Sequence, residues 1–89
     1  MASHKSARKR ARQALRRRAR NRHQQSRVRT AVKRAREAIA EGNAESASGA
    51  LRTAESLLRR AASKGAIPRK RASRQVSRLT KAANQIRQG

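Results

Sequence analysis

Large apolar side chains are nearly absent from the first quarter of the chain and then return at helical spacing. Val28, Val32, Ala35 and Ile39 recur at i, i+4, i+7 and i+11, one narrow stripe of a helix. A broader arc follows in Ala47, Ala50, Leu51, Ala54, Leu57, Leu58 and Ala61. The third pattern is the cleanest: Ala72, Val76, Leu79, Ala83 and Ile86, with Arg71, Arg74, Arg78 and Lys81 expected on the opposite side. Gly42 and Lys64-Gly65 separate the three patterns, as residues that stop helices do. The spacing thus predicts a first helix capped by Ser6 and ending at Glu41, and a second from Ala44 to Ser63 capped by Asn43. A third carries Pro68 in its first turn, where the missing N–H costs nothing. Gly49 weakens the second helix by ~1 kcal/mol relative to Ala, and close packing against a neighbour is the one reason the sequence offers for it.

Connections this short make consecutive helices antiparallel neighbours, so the expected class is all-α, an antiparallel three-helix bundle. Helices of about 20 residues span about 30 Å, enough to cover residues 26–41 of the first helix and no more. Upstream, the same register reads Ala7, Ala11, Ala14, Arg18, Asn21 and Gln25: the phase continues while the bulky hydrophobes disappear. The expected organisation is a single domain over residues 1–89. Residues 26–88 form the bundle, and residues 5–25 form a long Arg-rich extension of the first helix projecting beyond it. An isolated helix of that length is marginal in water. With ten like charges between Lys5 and Arg22, the extension is expected to be frayed in the free protein and ordered by a ligand.

Charge turns this architecture into a binding problem. Of the 89 residues, 26 are Lys or Arg and four are Glu, a net charge of +22 that repels itself in the compact state and calls for an anionic partner. Twelve apolar residues other than Ala approach the disordered regime, whereas nineteen alanines favour helix. There is no cysteine, and His4 and His23 stand 19 residues apart without nearby carboxylates, so neither a disulfide framework nor a metal site is expected. No apolar run exceeds three residues, which excludes a membrane-spanning or secretory segment from the sequence given. The Arg-rich, acid-free start imitates a mitochondrial transit peptide but lacks its bulky apolar face, since Leu15 is the only large aliphatic there. A membrane-active helix fails on the same ground. The simplest reading is a soluble intracellular chain.

No catalytic constellation is present, and neither a cofactor nor a small-molecule substrate is expected. Glu37 and Glu41 are four apart, but a carboxylate pair needs a cleft to separate its pKa values, and three short helices do not promise one. Lys33–Glu37 and Glu55–Arg59 read as ordinary helix-surface partners, the second in the better orientation. All four acids lie between residues 37 and 55, marking the end expected to face away from an anion.

The anion itself is best read as phosphate. Twenty of the 26 cations are Arg, whose planar fork binds phosphate oxygens bidentately. Lys5, Arg8, Lys9, Arg12, Arg16 and Arg20 fall within an arc of about 120° at helical spacing, while Arg10, Arg17, Arg18 and Arg22 fill the other sides. Charge all round suits a helix wedged among several phosphate strands, and the small Ala7, Ala11 and Ala14 let its axis come close. With no Phe, Tyr or Trp, bases have no aromatic platforms, and no strand pattern supports a sheet-based reader. Contacts mainly to phosphate and sugar, positioning the chain by shape, point to folded RNA. The rival from residue chemistry alone is a nucleoid or DNA-condensing protein. Neither a helix–turn–helix pattern nor a seam of large aliphatics for self-association supports it, and a homo-oligomer is not expected.

The order of short motifs carries a resemblance. Lys5-Ser6-Ala7-Arg8-Lys9-Arg10, then Arg20-Asn21-Arg22, then Ser26-Arg27-Val28-Arg29-Thr30 followed by Lys33 resemble the start of the twentieth-protein family of the bacterial small ribosomal subunit. Ala61-Ala62-Ser63-Lys64-Gly65, followed by Ile67, Ala72, Arg74 and Ser77-Arg78-Leu79, is similar to that family's second signature. The resemblance implies a three-helix bundle with a long first helix that binds small-subunit rRNA early in assembly, in the cytoplasmic ribosome. It implies RNA contact at Lys5, Arg8, Lys9, Arg10, Arg20, Asn21, Arg22, Arg27, Arg29 and Lys33, and more weakly at Arg74 and Arg78 of the third helix; the charge pattern itself adds Arg12, Arg16, Arg17, Arg18 and Arg71. Pro68, Arg69 and Lys70 stand where the family has His, a basic residue and a capping Asn, so a contact made by that His has no counterpart here.

Overall fold

The computed structural model describes residues 4–88; Met1–Ser3 and Gly89, the ends of the expected domain, lie outside the described residues. It contains three helices and, among the described residues, no strand: α1 (His4–Glu41), α2 (Ala44–Ser63) and α3 (Arg69–Gln88). The expected all-α fold with a long N-terminal helix is therefore observed. At 1.5 Å per residue, α1 is about 57 Å long against about 30 Å for each of the others. The molecule accordingly measures 65 × 19 × 13 Å. Its radius of gyration is 17.6 Å, where a compact chain of this length would have about 12 Å.

Both turns are set by local chemistry. Gly42 adopts φ 77°, a left-handed conformation that a side chain would strain, and its N–H donates to the Ile39 carbonyl at 3.0 Å. The Asn43 Oδ1 then accepts from the N–H groups of Glu45 and Ser46 at 3.1 and 3.2 Å, capping α2 as expected. At the far end of α2, the Gly65 N–H donates to the Ala62 carbonyl at 3.1 Å and the Ala66 N–H to the Ala61 carbonyl at 2.9 Å. With Gly65 at φ 76°, this is the Schellman arrangement, and the buried Ala61 and Ala66 supply its apolar contact.

Two expected helix starts move. α1 begins at His4, so Ser6 lies inside the helix rather than capping it; the residues before Ser6 contain nothing that breaks a helix. Pro68 sits one position earlier than expected, because its carbonyl accepts the first intrahelical bond, from the Ala72 N–H at 3.1 Å, and α3 proper begins at Arg69.

The core joins Val28, Ala31, Val32 and Ala35 of α1 to Ala54, Leu58 and Ala61 of α2 and to Ala72 and Leu79 of α3. Leu58 is its one large, fully enclosed side chain. Half-buried Ile39, Leu51, Leu57, Ile67 and Val76 pack around it, so the expected stripes face inward on all three helices. The alanine-rich seam lets helices approach closely but buries little area, as is usual in so short a chain. Gly49 is not explained by close packing: a Cβ there would meet nothing within 4 Å.

Packing on α1 extends N-terminally to Gln24 and Gln25. Gln24, not the expected Gln25, continues the buried line, at 8% exposure, and its Oε1 has no hydrogen-bond partner among the described residues. Gln25 is exposed, but its Nε2 donates to the Ala66 carbonyl at 2.9 Å and ties α1 to the α2–α3 turn. From Gln24 toward the N-terminus only Asn21 retains partial burial.

Candidate nucleic-acid interface

Over residues 5–20 the extension is a helix without a packing face, and only its last residues, Asn21, Gln24 and Gln25, meet the bundle. Lys5, Arg8, Lys9, Arg10, Arg12, Arg16, Arg17, Arg18, Arg20 and Arg22 are all exposed, and Asn21 is half-buried. Counting back along the buried line from Ala35 through Ala31, Val28 and Gln24, the positions at helical spacing become Asn21, Arg17, then Gln13 or Ala14, and Arg10. The side of α1 that would face a core therefore turns from apolar to amide to guanidinium. Leu15, 63% exposed, is the sole large hydrophobic in the open among the described residues. No acid lies in the first turn of α1, so nothing there offsets the positive end of the helix dipole.

The bundle gathers some of the remaining candidates and scatters others. α1 and α3 touch least of the three helix pairs, and the seam between them opens into a groove of ≈ 500 Å³. Arg29 and Lys33 reach it from α1, and Arg71 from α3, over the buried Val28 and Val32 and half-buried Ile67. Arg78 stands in a smaller continuation of the same seam, toward Ile39 and Leu79. Arg27 lines a different groove, between α1 and α2, together with His23 and Arg34. Arg74 is exposed and borders none of these grooves.

The α3 cations are therefore not all opposite the apolar stripe. At 100° per residue, Arg74 and Lys81 are, whereas Arg71 and Arg78 flank it on the side turned to α1. Two groove residues did not stand out in the sequence. Arg36 follows Arg29 and Lys33 on one face of α1, a spacing that could have found it; Gln75, one turn after Arg71, belongs to both parts of the seam. Neutral and half-buried, Gln75 carries no charge signal at all.

The acids are distributed unevenly. Glu41 and Glu45 flank the α1–α2 turn, at the end remote from the extension. Glu55 pairs with Arg59 on the surface of α2, while Lys33–Glu37 forms no ion pair among the described residues. The difference follows the orientation rule, because only the first pair has its acid N-terminal to its base. Glu37 lines the α1–α3 groove, where four cations face this one carboxylate. Among the described residues no cluster of His or acidic side chains could hold a metal, and no helix is long and apolar enough to cross a membrane.

Comparison with known proteins places nearly the whole chain in one family. The family model described as ribosomal protein S20 matches residues 2–84. The small ribosomal subunit protein bS20 of Nitratidesulfovibrio vulgaris (strain DP4) is 48% identical over 86 residues, covering 97% of this chain and 99% of the relative. Its counterpart in Desulfovibrio desulfuricans is 49% identical, with 97% of each chain covered. That of Anaeromyxobacter dehalogenans is 52% identical over 83 residues, 93% of this chain and 90% of the relative. A match of this extent, over the extension and the bundle alike, shows that the chain belongs to the ribosomal protein S20 family, a family of ribosomal proteins and not of enzymes.

Proposed function

We propose that the protein is a structural constituent of the small subunit of the cytoplasmic ribosome, where it binds folded small-subunit rRNA and aids its assembly. Its partners are that rRNA and, through it, the ribosome; no second copy, membrane, cofactor or small-molecule substrate is required. Residues 5–25 act as a helix inserted among rRNA strands, and residues 26–88 as the bundle that anchors it.

One observation carries this reading: a helical segment with ten exposed cations, no carboxylate and, short of Asn21, no buried side chain. Nothing inside the protein compensates such a segment, and the phosphate backbone does so through guanidinium–phosphate pairs and counterion release. The small Ala7, Ala11 and Ala14 permit close approach, while Arg29, Lys33 and Arg71 extend the basic surface onto the bundle. Phosphate contacts position without reading sequence, so selectivity comes from the three-dimensional arrangement of strands.

The test is binding to a folded small-subunit rRNA fragment and to random duplex DNA across a salt series. Both affinities fall as salt rises, with a duplex slope of about −0.9 per neutralised phosphate. The rRNA is expected to retain a large advantage at physiological salt. Coincident curves would make the protein a general polyanion binder of the DNA-condensing kind.

A further inference from the structure

The extension supplies attraction, and its exposed arginines and Gln13 can meet base edges as well as phosphates, but it offers no apolar floor on which a base could lie. The groove between α1 and α3 is different in kind. It combines buried aliphatic side chains, Val28 and Val32, with flanking cations and two carboxamides, those of Gln25 and Gln75. The Gln25 Nε2 is already committed to the Ala66 carbonyl. Gln75 is half-buried where the two parts of the seam meet, and its carboxamide makes no hydrogen bond among the described residues. A free donor–acceptor pair held at an apolar floor is a poor device for gripping phosphate and a good one for reading the edge of a base.

Size and charge agree. At ≈ 500 Å³ the groove has room for a nucleotide, but two other surface grooves are of similar size, and its lining rather than its volume sets it apart. Arg29, Lys33, Arg36 and Arg71 against the single Glu37 select an anionic occupant. In a chain without aromatic residues, the planar guanidinium of Arg36, which lines both parts of the seam, can stack on a nucleobase in their place.

We infer that the α1–α3 groove receives one unstacked nucleotide of the bound RNA. Its base lies over Val28 and Val32, its edge meets the Gln75 carboxamide, and Arg29, Lys33 and Arg71 hold the phosphates on either side. The extension then sets how tightly RNA is held, the arrangement of strands sets which RNA, and the groove adds a base contact that fixes the register. This inference rests on the RNA-binding reading above.

Gln75 allows a test that leaves the charge unchanged. The full-length chain, Gln75→Ala and Gln75→Met are compared for binding to a folded small-subunit rRNA fragment and to random duplex RNA at physiological salt, with a thermal melt as control. Met keeps the side-chain length and removes the hydrogen-bonding groups, so agreement between the two variants isolates the carboxamide from packing. Both are expected to lose about tenfold in rRNA affinity, the scale of one good base contact. Duplex affinity and the salt slope stay as they were, because no phosphate contact is removed. Chemical probing of the rRNA is expected to show one base protected by the wild-type chain and reactive again with either variant. Wild-type rRNA affinity in both variants would overturn the inference and leave the groove to another occupant, such as an acidic amphipathic helix. A wild-type chain without any preference for rRNA over duplex would overturn the ribosomal reading and this one together, a result visible before any variant is made.

Discussion

Gly49 shows how a single position separates stability from function. It lies within α2, is exposed, and has open space where a Cβ would go. Its cost to the helix is mainly conformational entropy, so Gly49→Ala is expected to stabilise the free protein by ~1 kcal/mol, read as a higher denaturation midpoint at unchanged slope. Other single residues were legible in advance because their roles are local. Asn43 caps whatever helix follows it, and Gly65 is the residue a left-handed turn requires. Residues whose role depends on azimuth were harder to read. Gln24 and Gln25 are adjacent and chemically identical, and the narrow stripe ending at Val28 does not say which of them continues it. The bundle buries Gln24 with its Oε1 unpaired among the described residues and gives Gln25 a bond across 41 residues. An acceptor left orphaned in the core costs stability, and neither composition nor periodicity reveals it.

α1 is one continuous helix in two environments. Its C-terminal part is held by the aliphatic seam, whereas residues 4–20 are exposed throughout, and their helix propensity is opposed by like charge and by cations at the positive end of the dipole. Amide hydrogen exchange of the free protein is therefore expected to show protection through about residues 28–38 and little over 7–22. Protection should spread into 7–22 when folded rRNA is added. Strong protection there without RNA would mean that Ala and Arg propensities alone sustain the extension. The two turns were readable from the chain because each is marked by Gly or Asn and because the aliphatic phase changes there, whereas the starts of α1 and α3, marked by neither, moved by a residue or more. The groove was not. Periodicity shows which face of α3 is apolar, but not on which side of that face α1 will lie, and so Arg71 and Arg78 read as remote from the core line they flank.

At the scale of the whole molecule, affinity and folding are placed in different parts of one chain. Stability comes from a small core centred on Leu58 and the alanines around it, and most of the acid-free charge lies beyond that core. Arg16, Arg17 and Arg18 are exposed and contribute nothing to packing, so replacing all three by Ala is expected to leave the thermal midpoint of the free protein unchanged or slightly raised, as self-repulsion falls. Binding should respond quite differently. Each lost phosphate contact removes about 0.9 from the magnitude of the duplex log–log salt slope, so the triple variant is expected to be shallower by up to about 2.7 and weaker at every moderate salt concentration. The two readouts together locate the residues. A lowered midpoint would place these arginines in the fold, and an unchanged slope would remove them from the interface. Weaker binding with the fold intact is what a helix extended beyond its own core into a field of phosphate requires.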